Sequence, residues 1–372
     1  MKKVVMGVTN SLSITLLRGQ FKYFSDKGYQ IHLITSDGPE LNDPELENVI
    51  LHTVPMKREI ALFSDLVALI KIIMIYLKVK PDISNVSTPK ASLLCSIAAF
   101  LSRTKVRIYS VIGLRLETCT AIKRKILYVI EKLIIKLSTL CLAVSPSLKE
   151  ALITNGLASP SKIKVLASGS YNGIQFDRLK REEDAIQKTK QTYSLKGPVI
   201  GFVGRLTRDK GVNELVQSFL YLLEKIPDTL LLVGEFEEGD PVDEKVKECI
   251  LTNPHIIYTG FVKNPSSFYY NMDIFILPTY REGFGNVLIE AAYCYLPVIT
   301  TNVTGAKDAI LPNETGLLVE AGNELELYEA TLYLLNNPNK AQEMAKKGHY
   351  RSEENYPSIR IWKELEKVYQ NV

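Results

Sequence analysis

The feature that most constrains this chain is an alternation of short apolar runs with longer helical patterns, which occurs in both halves of the sequence. The runs Val4–Val8 and Val106–Val111 each lead into a helical segment, and the same alternation resumes at Val199. Strands that alternate with helices form parallel sheets with right-handed crossovers. A chain of 372 residues is long enough for two such domains, each with its own core. The sequence therefore predicts an α/β protein with two doubly wound parallel-sheet domains.

Small and polar residues mark the boundary between the domains. Gly169, Asn172 and Gly173 follow the last apolar run of the first half, and they predict a hinge. We assign residues 1–172 to a first domain and residues 190–355 to a second. The final segment, 356–372, has an amphipathic pattern that predicts a terminal helix.

The composition is that of an ordinary globular protein, with 46% hydrophobic and 23% charged residues. Met1–Gly7 has the pattern of a buried strand and lacks the features of a secretory signal. The five cysteines are widely spaced and form no Cys-x-x-Cys pair, as is usual for core residues in a reducing compartment. These features predict a cytoplasmic protein.

Charge is distributed unevenly along the chain, although the net charge is only +4. Residues 1–180 contain 25 Lys and Arg against 13 Asp and Glu, whereas residues 181–372 contain 20 against 28. A basic half joined to an acidic half indicates that the basic half meets an anionic partner. Nucleic acid, an anionic membrane and a diphosphate-bearing lipid are all candidates at this point.

The stretch Glu282–Glu290 is the strongest candidate for a ligand site. The apolar run Asp273–Leu277 ends at Pro278, polar residues and glycines follow, and a helical pattern begins after Gly285. Such a strand–loop–helix joint presents free backbone N–H groups to an anion, and glycines let that anion approach closely. The carboxylates of Glu282 and Glu290 suit vicinal hydroxyls of a ribose or a hexose. This pattern predicts a nucleotide-sugar site; in the alternative, the first glutamate caps a helix and the second is solvated.

A second strand–loop–helix joint lies at the start of the second domain. A buried strand ends at Gly204, and the cations Arg205 and Lys210 follow before a helix that starts near Val212. An arginine fork and a lysine point charge suit a diphosphate. Arginine and lysine in loops are also commonly solvated.

The first domain contains further polar residues where its predicted strands end. Arg18 lies near the start of a helix predicted over about residues 16–27, an unfavourable place for a cation unless it grips a phosphate; a surface role is the alternative. The segment 122–136 combines clustered cations with aliphatic residues and predicts either a membrane-surface helix or a core helix with a basic side. The candidates for binding a second, phosphate-bearing ligand, called the acceptor below, are Gly7, Ser13, Arg18, Ser87, Lys90 and Arg115.

Taken together, the motifs resemble those of retaining glycosyltransferases with the GT-B fold, family 4. Glu282 to Glu290 is similar to the E-x7-E motif of that family, and Gly204, Arg205 and Lys210 are similar to its phosphate-binding loop. Three segments are most similar to the CapM-like subgroup of bacterial capsule and glycan assembly: Arg18-Gly19-Gln20, Ser87–Ala91 and Gly113–Thr118. Many relatives have a histidine where this chain has Ser87.

The resemblance implies a role for each matching residue. Arg205 and Lys210 would hold the donor diphosphate, Glu290 the ribose, and Glu282 the donor sugar. The loop at Phe261 and Val262 would hold the base. Further donor contacts would come from the neighbouring residues Gly204, Gly283, Phe284, Gly285, Asn286 and Val287.

The resemblance also implies the architecture and the partners. The two Rossmann-like domains would face each other across a cleft, and the helix in 356–372 would return to the first domain. The donor would be a nucleotide-sugar, by family habit UDP-linked, and transfer would retain anomeric configuration. The acceptor would be a polyprenyl-diphosphate-linked saccharide at the cytoplasmic face of the membrane, to which the protein would attach peripherally.

No cofactor is expected. The sequence has no Asp-x-Asp pair, and its four histidines are scattered, so we predict that catalysis requires no metal. Two other functions share the predicted architecture: a UDP-sugar 2-epimerase and a non-catalytic nucleotide-sugar-binding scaffold. Nucleic-acid binding is disfavoured because no helix-turn-helix or aromatic platform accompanies the basic half.

Overall fold

The computed structural model describes residues 1–57, 61–119, 121–226 and 228–371. The chain divides into two units. The first consists of Met1–Gly173 and Ser358–Val372, and the second of Ile174–Pro357. Each unit contains its own parallel sheet.

In the described part of the first unit, seven parallel strands lie in the order β3-β2-β1-β4-β5-β6-β7. The strands are β1 Lys3–Gly7, β2 Gln30–Thr35, β3 Val49–Thr53, β4 Ile83–Val86, β5 Val106–Val111, β6 Leu140–Ala143 and β7 Ile163–Val165. The helices between them are α1 Gln20–Asp26, α2 Leu62–Val79, α3 Pro89–Leu101, α4 Ala121–Leu137 and α5 Pro146–Thr154. The direction of strand addition reverses between β1 and β4, so the loops after these two strands meet at one edge.

In the second unit, six parallel strands of the described residues lie in the order β10-β9-β8-β11-β12-β13. The strands are β8 Val199–Val203, β9 Thr229–Val233, β10 Ile256–Tyr258, β11 Ile274–Leu277, β12 Val298–Thr301 and β13 Gly316–Val319. The helices are α6 Glu183–Thr192, α7 Val212–Leu223, α8 Glu244–Thr252, α9 Ser266–Tyr269, α10 Asn286–Tyr293, α11 Glu324–Asn336 and α12 Pro338–Asn355. Here the reversal falls between β8 and β11. The predicted fold class, two doubly wound parallel sheets, is confirmed.

The last helix, α13 Ser358–Gln370, belongs to the first unit. Its Leu365 and Tyr369 are buried in the core that surrounds α1, β1 and β2. The Trp362 indole donates a hydrogen bond of 2.7 Å to the Asn172 side-chain oxygen. The amphipathic pattern of the sequence therefore corresponds to one buried and one solvated face.

The structure differs from the sequence predictions at several element boundaries. The predicted helix over residues 16–27 is instead a 3-10 helix, Ser11–Leu17, followed by α1, because Gly19 adopts a left-handed φ of 76° that interrupts the helix. Strand β3 was not predicted. Among the described strands it pairs with β2 alone, and it is mostly exposed, so only a three-residue apolar run marks it.

The second unit begins at Ile174, upstream of the predicted boundary at residue 190. The reason is helix α6, which packs on α9. The Thr189 and Ser267 hydroxyls lie 2.8 Å apart, and the Asn271 amide donates to the Ile186 carbonyl at 3.0 Å. Helix α5 begins with a side-chain cap, because the Ser145 hydroxyl accepts a hydrogen bond from the Leu148 N–H.

Candidate active site

The candidate site of the second unit lies at the reversal point between β8 and β11. Strand β8 leads into the loop 204–211, and β11 leads into the loop 278–285. Since these strands are neighbours and parallel, their carboxyl ends place both loops at the same edge of the sheet. The two motifs, far apart in sequence, are therefore brought together.

Two ion pairs join these loops directly. The Lys210 ammonium is paired with the Glu282 carboxylate, and each side chain is only about 15% exposed. The Arg281 guanidinium lies 2.6 Å from the Asp209 carboxylate. Consecutive residues of one loop thus contact consecutive residues of the other.

Sequence analysis missed Asp209 and Arg281. Asp209 accepts a 2.6 Å hydrogen bond from the Thr207 hydroxyl, and its backbone carbonyl accepts one from the Tyr280 N–H. Burial raises the pKa of Asp209, but the Thr207 hydrogen bond and the nearby cations, first Arg281 and then Lys210, outweigh it and hold the pKa below its usual value. The only sequence signal for Asp209 and Arg281 is their position. Asp209 directly precedes Lys210 and Arg281 directly precedes Glu282, so each predicted residue has a neighbour of opposite charge.

The other predicted phosphate ligand, Arg205, is more exposed to solvent than Lys210. Its guanidinium pairs with the Glu237 carboxylate, and its side chain is 49% exposed. Gly204, directly before it, has a φ of 156° and donates its N–H to the Val233 carbonyl at 2.9 Å. An anion that binds Arg205 must therefore compete with Glu237.

The loop after β11 is anchored by a buried side chain and ends at the start of α10. Phe284 is buried, with its ring centroid 5.2 Å from that of Tyr356. Gly285, the N-cap of α10, has a φ of 83°. The next two residues, Asn286 and Val287, begin α10, so the N-terminal turn of this helix lies beside the loop that carries Glu282.

The second carboxylate of the motif, Glu290, lies on α10 and accepts a 2.8 Å hydrogen bond from the Tyr269 hydroxyl. Burial raises the pKa of Glu290, while the Tyr269 hydrogen bond and the Arg178 charge oppose that rise. Phe261 and Val262 follow β10, two strands away from β8, and Phe261 is 64% exposed. The predicted roles of these residues toward a donor stay predictions.

In the first unit, two of the predicted acceptor residues meet at the reversal point between β1 and β4. The Ser87 N–H donates to the Gly7 carbonyl at 3.3 Å, and Ser87 is buried. The loops that follow are also joined, since the Thr9 N–H donates to the Thr88 hydroxyl at 2.7 Å.

Of the remaining predicted acceptor residues, Ser13, Arg18 and Lys90 already have side-chain partners within the first unit. Ser13 donates both its N–H and its hydroxyl to the Asn10 side chain. Arg18 lies 3.5 Å from Asp43, and Lys90 lies 2.7 Å from Asp65, so both cations are already paired. Arg18 precedes α1 by two residues and is not part of its first turn, whereas Arg115 is half-buried in a short 3-10 helix after β5.

Two further observations concern the described residues as a whole. Among the described residues, no group of three or more His, Cys, Asp or Glu side chains is arranged to hold a metal ion. In the same part of the chain, no helix has the length and apolar character needed to cross a bilayer.

Two doubly wound parallel-sheet units are the architecture of GT-B glycosyltransferases, and the candidate site lies at the reversal point of the second unit. Comparisons with known proteins agree with this class. The model of glycosyl transferases group 1 matches residues 183–351, and that of glycosyl transferase 4-like proteins matches residues 8–145.

The chain belongs to the glycosyl transferases group 1 family and is a glycosyltransferase. It is 42% identical over 369 residues to the capsular polysaccharide biosynthesis glycosyltransferase CapM of Staphylococcus aureus, covering 99% of this chain and 97% of that protein. It is 25% identical to the Escherichia coli UDP-Gal:alpha-D-GlcNAc-diphosphoundecaprenol alpha-1,3-galactosyltransferase, covering 81% of this chain and 79% of that protein. Its fold matches Anabaena HepE in complex with UDP-glucose, with a TM-score of 0.83, 19% identity and full coverage of both chains.

Proposed function

We propose that this glycosyltransferase moves a hexose from a UDP-sugar to a lipid-linked saccharide during the assembly of a capsule or a related bacterial glycan. The observation that carries the proposal is the Lys210–Glu282 pair at the reversal point between β8 and β11. It places a cation for phosphate and an acceptor for sugar hydroxyls side by side. The names of the Staphylococcus aureus and Escherichia coli relatives support the pathway and the acceptor class, and the UDP-glucose complex of HepE supports the donor class.

In this proposal the donor lies along the loops 204–211 and 278–285. Lys210 and Arg205 bind the diphosphate, and Arg205 exchanges its Glu237 partner for a phosphate oxygen. Glu282 and the backbone of Gly283, Phe284 and Gly285 hold the sugar. Glu290 accepts hydrogen bonds from the ribose hydroxyls, and the segment of Phe261 and Val262 contacts the base.

The chemistry needs charge stabilisation more than a strong protein base. As the bond between the anomeric carbon and the diphosphate oxygen breaks, negative charge develops on the diphosphate, where Lys210 and Arg205 stabilise it. The acceptor hydroxyl attacks from the same face and passes its proton to the departing diphosphate oxygen. The anomeric configuration is thereby retained, and the two cations take the charge-stabilising role that a metal has in other transferases.

We also propose that the first unit binds the acceptor at an anionic membrane surface. Helices α2 and α4 flank α3, and both have an exposed apolar stripe. Every exposed charged residue on these two described helices is a cation, since Asp65 is paired with Lys90 and Glu131 is buried. Exposed apolar side chains beside cations favour the interface of an anionic bilayer. The stripes are formed by Leu62, Phe63, Leu66, Ile70, Met74 and Leu77 on α2 and by Ile122, Ile126, Val129 and Leu133 on α4.

Substitution of the central carboxylate tests the catalytic proposal. We expect Glu282→Gln to bind UDP as the wild type does and to lose at least about a hundredfold in turnover, the scale of a lost transition-state contact. Arg205→Ala should weaken both UDP binding and turnover. UDP release from UDP-hexoses, measured with and without polyprenyl-diphosphate-linked saccharides and with EDTA, reports turnover; calorimetry reports binding.

The matched control is Glu329→Gln, which changes an exposed glutamate of α11 and should leave both quantities unchanged. Equal turnover of Glu282→Gln and wild type would remove Glu282 from the mechanism. Conversion of a UDP-sugar without any acceptor would favour the 2-epimerase, and UDP binding with no turnover under any condition would favour the scaffold. Loss of turnover in EDTA, restored by a divalent metal, would contradict the metal-independent proposal.

A further inference from the structure

We propose that Tyr269 is a positioning residue that holds the Glu290 carboxylate for the ribose and so makes the enzyme select ribonucleotides over 2′-deoxyribonucleotides. This inference rests on the proposed role of Glu290 in ribose binding. It adds a residue for which the sequence motifs suggest no role. It also predicts a specificity that can be measured without knowing the acceptor.

Tyr269 is itself fixed in place. It is the last residue of α9 and is 0% exposed, and its ring centroid lies 5.7 Å from that of Phe275 on β11. Strand β11 leads into the loop that carries Glu282, so the ring rests on the same framework as the site. The hydroxyl donates to Oε2 of Glu290 at 2.8 Å. A rigid donor therefore fixes one oxygen of a carboxylate that is otherwise free to rotate.

The contact leaves Glu290 able to bind a diol. Within the part of the chain that the structure describes, Tyr269 is the only group that donates a hydrogen bond to the Glu290 carboxylate. A carboxylate has about four acceptor sites, and Tyr269 occupies one of them. The other oxygen, Oε1, and the remaining lone pair of Oε2 can accept from two adjacent hydroxyls. A fixed carboxylate plane favours a 2′,3′-diol over a single hydroxyl.

The same hydrogen bond keeps Glu290 in the form that accepts. Burial raises the pKa of Glu290, whereas the Tyr269 hydrogen bond first and the Arg178 charge second lower it. Tyr269 keeps its own proton, because burial and the nearby Glu290 raise its pKa well above the usual value. The phenol is thus a permanent donor, and the carboxylate remains ionised to lower pH than it would without the phenol.

The chain provides a matched control in the next residue. The Tyr270 hydroxyl donates to the Leu179 carbonyl at 2.8 Å and makes no hydrogen bond with Glu290. Tyr270→Phe therefore removes the same atom from the adjacent position, together with its contacts to the Leu179 carbonyl and the Cys294 thiol. Any effect of Tyr269→Phe that Tyr270→Phe does not share is due to the contact with Glu290.

The experiment compares the affinities of UDP and 2′-deoxy-UDP by calorimetry in wild type, Tyr269→Phe, Tyr270→Phe and Glu290→Ala. We expect the wild type to prefer UDP by about tenfold or more, as for hydrogen bonds to a charged acceptor. Tyr269→Phe should lose most of this preference through weaker UDP binding, with 2′-deoxy-UDP affinity within about twofold of wild type. Glu290→Ala should abolish the preference, and Tyr270→Phe should keep it.

A pH series separates positioning from general destabilisation. Without the phenol the pKa of Glu290 rises further, so the carboxylate is protonated at a higher pH. As pH is lowered, the residual preference of Tyr269→Phe for UDP should disappear at a higher pH than the preference of wild type does. A purely structural role would leave the midpoint of this profile unchanged.

The outcomes distinguish this inference from the proposed function. If Glu290→Ala abolishes the preference and Tyr269→Phe retains it in full, the role of Tyr269 is refuted and the donor site stands. If Glu290→Ala retains the preference, Glu290 does not bind the ribose, and the inference about Tyr269 is refuted with it, whereas transfer from a UDP-sugar is not. If the wild type binds no UDP at all, the proposed donor class is wrong, and the selection proposed for Tyr269 falls with it.

Discussion

At the scale of single residues, the site depends on a glycine outside both motifs. Gly305 has a φ of 81°, and a Cβ built on it would lie 2.5 Å from the backbone oxygens of both Glu282 and Gly283. We expect Gly305→Ala to push the 282–283 segment away, because neither backbone oxygen can move without the loop. The free energy of unfolding should fall by about 1–3 kcal/mol, which is the usual cost of a strained backbone. Turnover should fall at least about tenfold, because the displaced segment carries Glu282. Urea denaturation and UDP release measure the two effects.

Gly239→Ala is the matched control for this substitution. Gly239 has no left-handed φ, and its Cβ would approach nothing closer than 3.5 Å. Unchanged turnover in Gly305→Ala would show that the position of Glu282 tolerates movement of the loop.

At the scale of elements, α2 is the helix whose packing leaves an apolar stripe uncovered. Phe63 is 82% exposed and Ile70 is 50% exposed. We expect Phe63→Ser with Ile70→Ser to reduce binding to phosphatidylglycerol-containing vesicles at least tenfold, because each large apolar side chain contributes about 1.5–3 kcal/mol when it is fully buried. Vesicle co-sedimentation at low salt measures the binding. The salt dependence should remain, since the cations of α2 and α4 are untouched.

The control replaces two exposed apolar residues of α11 in the second unit, Leu325→Ser with Tyr333→Ser. This variant should bind vesicles as the wild type does. An equal loss of vesicle binding in both double variants would mean that binding is non-specific. Wild-type protein that fails to bind anionic vesicles would contradict the membrane proposal.

At the scale of the whole molecule, the two units have separate sheets and should respond to different ligands. We expect UDP to slow hydrogen exchange in the loops 204–211 and 278–285 and in α10, all in the second unit, because bound ligand stabilises only the state that binds it. Anionic vesicles should instead protect α2 and α4 in the first unit. Hydrogen exchange followed by mass spectrometry measures both patterns in the full chain. With Arg205→Ala the UDP pattern should weaken, and UDP protection centred on the loops after β1 and β4 would reverse the proposed division of roles.

Much of this organisation was predictable because it depends on local sequence patterns. Alternating apolar runs and helical segments predict both doubly wound sheets, and Ser145 before Pro146 predicts the start of α5. The motif residues of the second unit were also found from sequence, because a strand followed by glycine and a helix start is a local pattern. Strand β3 escaped prediction because its apolar run is only three residues long and most of the strand is exposed at the edge of the sheet.

The sequence by itself determined the fold class, the family and the two loops of the candidate site. The tertiary structure alone decided which groups in those loops meet, since Lys210 and Glu282 are 72 residues apart and become neighbours only because β8 and β11 are adjacent in the sheet. The same holds for the Asp209–Arg281 pair and for the contact between Tyr269 and Glu290. The tertiary structure also decided that one side of α2 stays exposed. Local sequence specifies each strand and helix, whereas side-chain partners and exposure depend on which elements pack together.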